Sequence, residues 1–380
     1  MSAAAAAEDR LRHRLGLFVG ATWMRDMGLL DRSFCELKIP GSHNSTTSVI
    51  FSEDPLRSAF RSLYPLNRLT PCLFTVWARC QSLSLREQLE AGARFFDIRV
   101  SYSKEMDDFV TSHSFRSVSL VDALDDVANF YEDRGTTEVI VICIKADAQN
   151  SSDFEREGVR SRFEKMLRRH RFSKYLSTKE RPLCVPLSSF EDRPVVLFIE
   201  KSIYGPQCPG YARPNFFFEW FNVNELTSLM DRVKKAIDKL PSRDPKEISV
   251  IQHILTPRTC DIVMHILRWT CRAALVLIFV YLGLAGLTTR STRPLLFPGT
   301  VALAVGGMSA FVAFELVLKP SKGVVATSAA VRRAFLQRHV FNSASLMPNF
   351  NVVMVDGIDR DFCRAIASSN SSTSSSLSGS

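Results

Sequence analysis

The chain has 380 residues, of which 46% are hydrophobic and 23% charged, a composition that excludes a disordered or fibrous protein. Its length allows two or three domains of about 150 residues, or one α/β barrel. The net charge of +9 is spread along the chain, which argues against a nucleic-acid binder and is compatible with attraction to an anionic membrane surface. Nine cysteines without CxxC or Cys/His spacing argue against a disulfide framework and against a zinc site.

The two ends of the chain lead to different predictions. Residues 1–22 form an N-terminal extension without a signal-peptide pattern, because acidic residues precede the arginines and the following apolar run is short. Residues 367–380 are rich in serine and carry no charge, which predicts a disordered tail.

An unusually apolar region lies between these ends. Residues 273–287 form an uncharged apolar run of 15 residues, and residues 295–314 form a second run of 20. A bilayer span needs roughly 17–25 apolar residues, so the second run is long enough and the first is marginal. We expect residues 261–323 to be an inserted helical hairpin that meets the lipid bilayer through residues 273–318. The alternative is a buried hairpin of a soluble protein.

Outside this region, apolar strand-like runs alternate with segments of helical spacing, the pattern of parallel βα units. The candidate strands are FCELKI (34–39), RFFDIRV (94–100), DFVTSHS (108–114), EVIVICIK (138–145), VVLFIEK (195–201), NFFFEW (215–220), EISVIQHI (247–254) and FNVVMVDGI (350–358). The candidate helices lie at 83–93, 119–135, 154–170, 225–240 and 331–341, and Ser119 and Gly135 suit the two ends of the second.

Eight strands with intervening helices predict an α/β fold, an irregular TIM-type (β/α)8 barrel that carries the apolar, transmembrane-like hairpin as an insertion. Strands 1–7 then fall within residues 23–260. The hairpin follows at 261–323, and the last helix and strand 8 occupy 324–366.

In such a barrel the catalytic groups lie at the carboxyl ends of the strands. Polar residues stand at most of these ends in the sequence: His43, Asp97, Arg99, His113, Lys145, Lys201, Trp220, Asn222, Gln252 and Asp356. Two histidines, an arginine and an aspartate at one rim favour metal-free cleavage of a phosphodiester. Such cleavage needs a base, an acid and a cation for the charge that grows on phosphorus. Histidines titrate near neutral pH, an arginine matches phosphate oxygens, and a carboxylate fixes an imidazole tautomer.

Four segments carry a resemblance to a known family: GSHNS (41–45), GARFFDIRV (92–100), TSHSF (111–115) and VVMVDG (352–357). In this order they resemble the X domain of phosphatidylinositol-specific phospholipases C. The stretches at 79–100, 117–130 and 256–262 make the similarity closest to the trypanosomal glycosylphosphatidylinositol-specific type. The resemblance covers roughly residues 23–260 and 325–363 and leaves the apolar region and the serine-rich tail outside.

The resemblance implies a role for each matching residue. His43 matches the general base that takes the proton of the inositol 2-hydroxyl, and His113 matches the acid that protonates the departing diacylglycerol oxygen. Arg99 matches the arginine that neutralises the phosphorane, and Asp356 matches the carboxylate that orients the base. The implied product is an inositol 1,2-cyclic phosphate.

Two departures from the family pattern bear on metals. Asn44 stands where bacterial members have an aspartate, as it does in the trypanosomal type. Calcium-dependent members use an asparagine there as a ligand, together with acidic residues on the second strand, but this chain has Asp97 followed by Arg99. A guanidinium in the metal's position would repel a cation, so we expect no metal and no cofactor, with Asn44 and Asp97 in the catalytic centre.

Four further residues are weaker candidates for substrate binding. Lys145 and Lys201 resemble basic positions that contact substrate, although a lysine that ends a strand in solvent is an equally good interpretation. Trp220, with Asn222 beside it, could lie against an inositol ring.

The sequence therefore predicts a membrane-associated, metal-independent phospholipase C that acts on glycosylphosphatidylinositol or phosphatidylinositol. We expect the hairpin to project from the catalytic mouth, since it interrupts a loop after the seventh strand. A glycan on the Asn44-Ser45-Thr46 sequon would block the site, which favours a barrel that faces the cytosol. The alternatives are a phosphatidylinositol-only enzyme, a catalytically silent phosphoinositide-binding membrane anchor, and a metal-dependent glycerophosphodiesterase barrel.

Overall fold

The computed structural model divides into two compact units by its contacts, residues 1–256 with 324–380, and residues 257–323. The structure describes residues 19–51, 72–147, 151–156, 158–213, 217–219, 221–239, 248–256, scattered positions between 262 and 281, 324–337 and 351–370.

The first unit is built on a curled sheet of ten strands. The strands are β1 (Ile39–Ser42), β2 (Phe95–Ser103), β3 (Asp108–His113), β4 (Phe115–Ser119), β5 (Ile140–Ala146), β6 (Val195–Ile199), β7 (Tyr211–Ala212), β8 (Phe217–Glu219), β9 (Ser249–Gln252) and β10 (Val352–Val355). Eight of them follow the order β7-β6-β5-β2-β1-β10-β9-β8, and every pairing along this path is parallel. The remaining two, β3 and β4, form an antiparallel arm on β2.

The strand predictions at 34–39 and 108–114 need correction. Residues Phe34–Glu36 form a 3-10 helix closed by a reciprocal pair of hydrogen bonds between Ser33 and Glu36, and the strand begins only at Ile39. The predicted third barrel strand, 108–114, is instead β3 of the antiparallel arm. The eighth parallel strand is β7, whose two residues carry too short a pattern to be recognised in the sequence.

Side chains of the parallel strands alternate between two buried layers, because successive residues of a strand point to opposite faces. One layer packs against the helices and contains the side chains of Phe96, Ile98, Ile140, Ile142, Ile144, Leu197, Val353 and Val355. The other layer fills the space enclosed by the curled sheet and contains Ile39, Phe95, Val141, Cys143, Val196, Phe198, Val250, Val352 and Met354. Residues 97, 99 and 145 continue this inner series toward the carboxyl ends of β2 and β5.

Helices follow the strands in the α/β manner. They are α1 (Trp23–Asp26), α2 (Cys72–Ala78), α3 (Leu85–Ala91), α4 (Leu120–Arg134), α5 (Val159–Arg169), α6 (Leu226–Lys239), α7 (Val324–Phe335) and α8 (Arg360–Ser368). Helix α4 begins and ends as its sequence indicated: the Ser119 side chain accepts a hydrogen bond from the Val121 amide, and Gly135 ends the helix with φ of 55°.

Part of the predicted N-terminal extension belongs to the packed unit. Gly20, Ala21 and Thr22 are buried, and the Gly20 carbonyl accepts a hydrogen bond of 2.6 Å from Arg94. Arg94 in turn forms a fully buried ion pair of 3.0 Å with Glu138. The described fold therefore begins before residue 23.

The predicted membrane hairpin lies almost entirely outside the described residues. The predicted disordered tail, 367–380, begins too early: α8 continues to Ser368, and buried Asn370 donates to the Lys38 carbonyl at 3.0 Å. Residues 371–380 lie outside the described part of the chain. Residues 257–323 fall between β9 and α7 in the chain, and they form the second compact unit. Among the residues that the structure describes, no helix has the length and apolar character needed to cross a membrane.

Candidate functional site

The centre of the site is a histidine–carboxylate pair created by the register of two neighbouring strands. Ser42 of β1 lies opposite Val355 of β10 in a parallel pairing, so the next residue of each strand, His43 and Asp356, is adjacent as well. The His43 amide donates to the Val355 carbonyl at 3.0 Å. His43 Nδ1 lies 2.8 Å from Asp356 Oδ1. Since a carboxylate accepts, Nδ1 carries the hydrogen and Nε2 is the ring nitrogen that can exchange a proton with a substrate.

Gln81 ties the two strand ends together. Its Nε2 donates to the His43 carbonyl at 2.7 Å and to the Val355 carbonyl at 3.1 Å. Its Oε1 accepts from the Ile358 amide at 3.0 Å. The side chain is fully buried, so these bonds fix the backbone on both sides of the pair. Sequence reasoning assigned Gln81 no role, although the residue lies within the stretch 79–100 that carries the resemblance.

The second histidine comes from the antiparallel arm. His113 ends β3, and its Nδ1 donates to the Ala78 carbonyl at 2.9 Å. Its ring centroid lies 6.2 Å from that of His43, with the ring planes at 72°. A carbonyl only accepts hydrogen bonds, so Nδ1 holds a hydrogen and Nε2 is the atom that can exchange a proton. The arm therefore places a second imidazole opposite the first.

The two histidines have opposite pKa shifts. Burial alone would lower the pKa of His43, but the negative charge and hydrogen bond of Asp356 outweigh it and raise the value to about 9. The pKa of His113 is lowered, first by burial and then by the positive charge of Arg99. The charges of the site thus give the two histidines different pKa values.

Asp97, Arg99 and Lys145 lie on the inner face of neighbouring strands. Arg99 of β2 is opposite Lys145 of β5, and Lys145 Nζ lies 2.8 Å from Asp97 Oδ1. Burial would raise the pKa of Asp97, yet the charges of Lys145, Arg99 and His43 lower it to about 2. The carboxylate is therefore ionised and surrounded by positive charge.

Asn44 Oδ1 and Arg99 Nε are buried polar atoms at this rim that have no hydrogen-bond partner among the described residues. Asn44 has φ of 42°, in the left-handed region that asparagine tolerates better than most residues. Buried polar groups are normally paired, so unpaired ones at a strand-end rim are available to a polar ligand.

Cys80 lies in the middle of the site. Its Sγ accepts a hydrogen bond from Asn44 Nδ2 at 3.4 Å and lies 3.5 Å from His113 Nδ1. Burial raises the pKa of this thiol. One donor atom each from His43, Cys80 and Asp356 lie within 4.8 Å of one another, a spacing at which side chains can hold a metal ion. No cysteine or histidine spacing in the sequence indicated this cluster.

The four candidate substrate-binding residues do not all lie in the site. Lys145 lies in the site, paired with Asp97. Lys201 is exposed two residues beyond the end of β6, and Asn222 is exposed with φ of 47°. Trp220 lies outside the described residues. The contacts of the described residues bring Lys145 alone of these four into the site.

Comparison with solved structures identifies the class of fold. The phosphatidylinositol-specific phospholipase C of Listeria monocytogenes aligns over 93% of this chain and 99% of its own, with a TM-score of 0.54 and 14% identity. A mutant of the Staphylococcus aureus enzyme aligns over 92% and 98%, with a TM-score of 0.55 and 16% identity. These identities establish a shared fold, the TIM-type barrel of the bacterial enzymes.

Sequence relatives are more specific. The variant-surface-glycoprotein phospholipase C of Trypanosoma brucei brucei is 29% identical over 278 residues, which cover 64% of this chain and 74% of that protein. The Trypanosoma cruzi protein of the same name is 26% identical over 272 residues, 64% and 69% of the two chains. Human PI-PLC X domain-containing protein 2 is 27% identical over 260 residues, 63% and 78%. No family model matches the chain.

The resemblance inferred from the sequence is thereby confirmed. The curated homologues of this chain are variant-surface-glycoprotein phospholipases C and PI-PLC X domain-containing proteins, and their names support a phospholipase C enzyme.

Proposed function

We propose that this protein is a metal-independent phospholipase C that cleaves the phosphodiester of glycosylphosphatidylinositol or phosphatidylinositol. The products are diacylglycerol and inositol 1,2-cyclic phosphate. The observation that carries the proposal is the His43–Asp356 pair facing His113 across 6.2 Å. Named relatives act as phospholipases C, which is the activity that this arrangement of groups can perform.

The reaction begins at His43. Its Nε2 accepts the proton of the inositol 2-hydroxyl while Asp356 stabilises the imidazolium that forms. The hydroxyl oxygen attacks phosphorus and forms the cyclic ester bond. The bond to the diacylglycerol oxygen breaks, and His113 Nε2 supplies the proton that this oxygen needs. Each imidazole must reach an opposite oxygen of the phosphate by a hydrogen bond of about 3 Å, which requires a gap of roughly 6–10 Å. The ring separation of 6.2 Å lies at the short end of that range.

Arg99 supplies the cation. It lies on the inner face of β2, and its buried Nε lacks a partner among the described residues. A guanidinium fits two phosphate oxygens at once, so its donors can be satisfied by the phosphate as negative charge grows on the phosphorane. Asn44 Oδ1 remains for an inositol hydroxyl.

Metal independence follows from the charges around Asp97. This carboxylate lies 2.8 Å from Lys145 and within the field of Arg99. A calcium or magnesium ion requires several oxygen ligands, and at Asp97 it would meet two positive side chains. The catalytic cation is therefore assigned to the arginine.

The choice of lipid is a separate step. The variant-surface-glycoprotein phospholipases C among the relatives favour the glycan-bearing lipid, and phosphatidylinositol alone is the second candidate. We also propose that residues 273–318, which lie almost wholly outside the described part of the chain, hold the enzyme at the bilayer with the barrel facing the cytosol. A fixed membrane contact would raise the local concentration of a lipid substrate.

Hydrolysis assays test the catalytic proposal. Labelled phosphatidylinositol and a glycosylphosphatidylinositol-anchored protein are incubated in chelator with the wild type, His43→Ala and Arg99→Ala. We expect wild-type turnover and losses of about 10²–10⁴-fold for His43→Ala and about 10²–10³-fold for Arg99→Ala. His170→Ala and the exposed Arg25→Ala are the matched controls. Activity that disappears in chelator, or that survives Arg99→Ala, contradicts the mechanism, and binding without turnover by the wild type would favour the silent anchor.

Vesicle flotation tests the membrane contact. The full chain should float with lipid vesicles in high salt, whereas a Leu303→Arg, Val305→Arg double variant should lose this salt-resistant fraction because two charges oppose insertion. Glu105→Arg, on the exposed turn between β2 and β3, is the control for added positive charge. Equal flotation of the double variant and the wild type would exclude residues 273–318 as the anchor.

A further inference from the structure

We propose that His43, Cys80 and Asp356 form an inhibitory binding site for a soft divalent cation, with Zn²⁺ as the ion that best fits. The inference rests on the proposed function only in that the ion would stop this reaction. The binding site itself depends on three donor atoms and can be tested without any lipid.

The geometry comes close to a zinc site. The three donor atoms lie within 4.8 Å of one another, and they come from the ends of β1 and β10 and from the loop after α2. Bonds of about 2.0–2.3 Å at tetrahedral angles place zinc ligands roughly 3.5 Å apart. Side-chain movements of about 1 Å would therefore close the cluster around an ion.

The chemistry of the donors selects the metal. Imidazole nitrogen, thiolate sulfur and carboxylate oxygen together suit Zn²⁺, whereas Ca²⁺ and Mg²⁺ require oxygen ligands and find a single carboxylate in this set. Three protein ligands leave a fourth position for water. Binding must also displace the thiol proton, which a zinc ion readily does.

Cys80 is held in place for this role. Its amide donates to Thr47 Oγ1 at 3.1 Å, and its carbonyl accepts from the Gly357 amide at 2.6 Å. Its Sγ is oriented by Asn44 Nδ2 at 3.4 Å. Cys80 is 1% exposed, and the proposed reaction does not use its thiol.

An ion at this site would stop catalysis directly. The ion would bind at Nδ1 of His43, the nitrogen that faces Asp356, in place of the hydrogen there. The neutral ring would then carry its hydrogen on Nε2, the atom that must accept the hydroxyl proton, and the carboxylate that orients the ring would be bound to the ion. The proposed enzyme therefore needs no metal for its reaction and is still blocked by zinc. The sequence argued against a zinc site because the ligands are spread over positions 43, 80 and 356, and the fold brings them together.

Cobalt(II) binding tests the site, because cobalt adopts zinc geometry and shows a thiolate-to-cobalt charge-transfer absorption. The full chain, freed of metal by chelator, is titrated with Co²⁺ and then with Zn²⁺. We expect one equivalent of Co²⁺ with this absorption, which Zn²⁺ displaces. Cys80→Ser should lose the absorption and bind at least about tenfold more weakly, while Cys35→Ser should behave as the wild type.

An inhibition assay uses the same proteins. Zn²⁺ should inhibit the wild type and Cys35→Ser, and chelator should restore them, whereas Cys80→Ser, compared with its own metal-free rate, should need at least about tenfold more Zn²⁺. Absence of the cobalt absorption, equal binding by Cys80→Ser, or binding without inhibition of an active wild type would each overturn the proposal. A wild type that binds cobalt through Cys80 but hydrolyses neither lipid would refute the proposed function and leave the metal site standing.

Discussion

His43 Nδ1 and Asp356 Oδ1 lie 2.8 Å apart although 313 positions separate the two residues in the chain. Both follow the last residue of strands that are neighbours in the sheet, so the pair is a direct result of parallel register. Because the carboxylate both orients the imidazole and raises its pKa, its removal should change the rate and the pH profile together.

We expect Asp356→Asn to lower kcat by about 10³–10⁴-fold, since an amide can hold the wrong tautomer and cannot stabilise an imidazolium. The sign of the pH effect follows from the pKa of His43, which Asp356 holds at about 9. The proposed reaction needs His43 neutral and His113 protonated, and because the pKa of the base lies above that of the acid, the alkaline limb of the kcat/KM profile reports His43. Without the negative charge of Asp356 the pKa of His43 falls, so this limb should move to lower pH. Profiles from pH 5 to 10 measure it, with Asp361→Asn on α8 as the control. An alkaline limb unchanged in position would show that it does not belong to His43.

Gln81 tests whether the rate depends on how the two strand ends are held, because its side chain takes no part in the proposed reaction. Substitution by alanine leaves the Ile358 amide and the His43 and Val355 carbonyls without their side-chain partner. The Val355 carbonyl still accepts from the His43 amide, but the Ile358 amide and the His43 carbonyl lose the Gln81 side chain. An unsatisfied buried group costs about 1–3 kcal/mol, so Gln81→Ala should lower the melting temperature. It should also reduce kcat, because both strand ends lose their common anchor.

The comparison for this variant is Gln88→Ala. Gln88 is also fully buried and donates to the Ser45 and Leu83 carbonyls, but not to the residues that carry the pair. Calorimetry and initial rates on both variants separate the effects. A similar loss of kcat in both would indicate general destabilisation and not a role of Gln81 in positioning.

Much of the fold could be predicted because its inner strands carry a strong signal. Residues 94–100 and 138–145 are runs of strand length rich in apolar residues, and the structure contains β2 and β5 there. The strand ends then indicated His43, Asp97, Arg99 and Asp356, since parallel strands bring their carboxyl ends to one rim.

Other features had no local signal. Apolar alternation is the same in an antiparallel arm as in a barrel strand, so the sequence of residues 108–114 predicts a barrel strand where the structure has the arm. The two residues of β7 are too few to show any pattern. Cys80 and Gln81 lie in a loop, where spacing carries no information on contacts. Their roles depend on the distant residues 43 and 356, and only the folded chain brings these together.

Lys38 provides a pH-dependent test of stability away from the site. Its residue is 7% exposed, and burial, with a smaller effect of the Arg32 charge, lowers its pKa to about 7. Between pH 7 and 10.5 the unfolded chain holds a proton here that the folded chain lacks, so this group makes stability rise with pH, by at most about 1.4 kcal/mol per pH unit. Lys38→Met should remove that slope and stabilise the protein most at low pH. Urea unfolding at several pH values measures it, and Lys165→Met, on the exposed face of α5, is the control. If both variants keep the wild-type slope, Lys38 titrates normally in the folded protein.

The buried ion pair of Asp97 and Lys145 predicts that loss of one partner destabilises the protein more than loss of both. Lys145→Met leaves a fully buried carboxylate beside Arg99 without its nearest counter-charge, and loss of one partner of a buried pair costs about 3–5 kcal/mol. Adding Asp97→Asn removes the stranded charge, so the double variant should be more stable than Lys145→Met alone. Denaturant midpoints of the two single variants and the double variant complete the cycle. Additive losses would show that the 2.8 Å contact contributes no coupling, and Asp97 would then owe its low pKa to Arg99 and His43. Lys145 would in that case be a candidate for contact with the substrate, as the family resemblance implies.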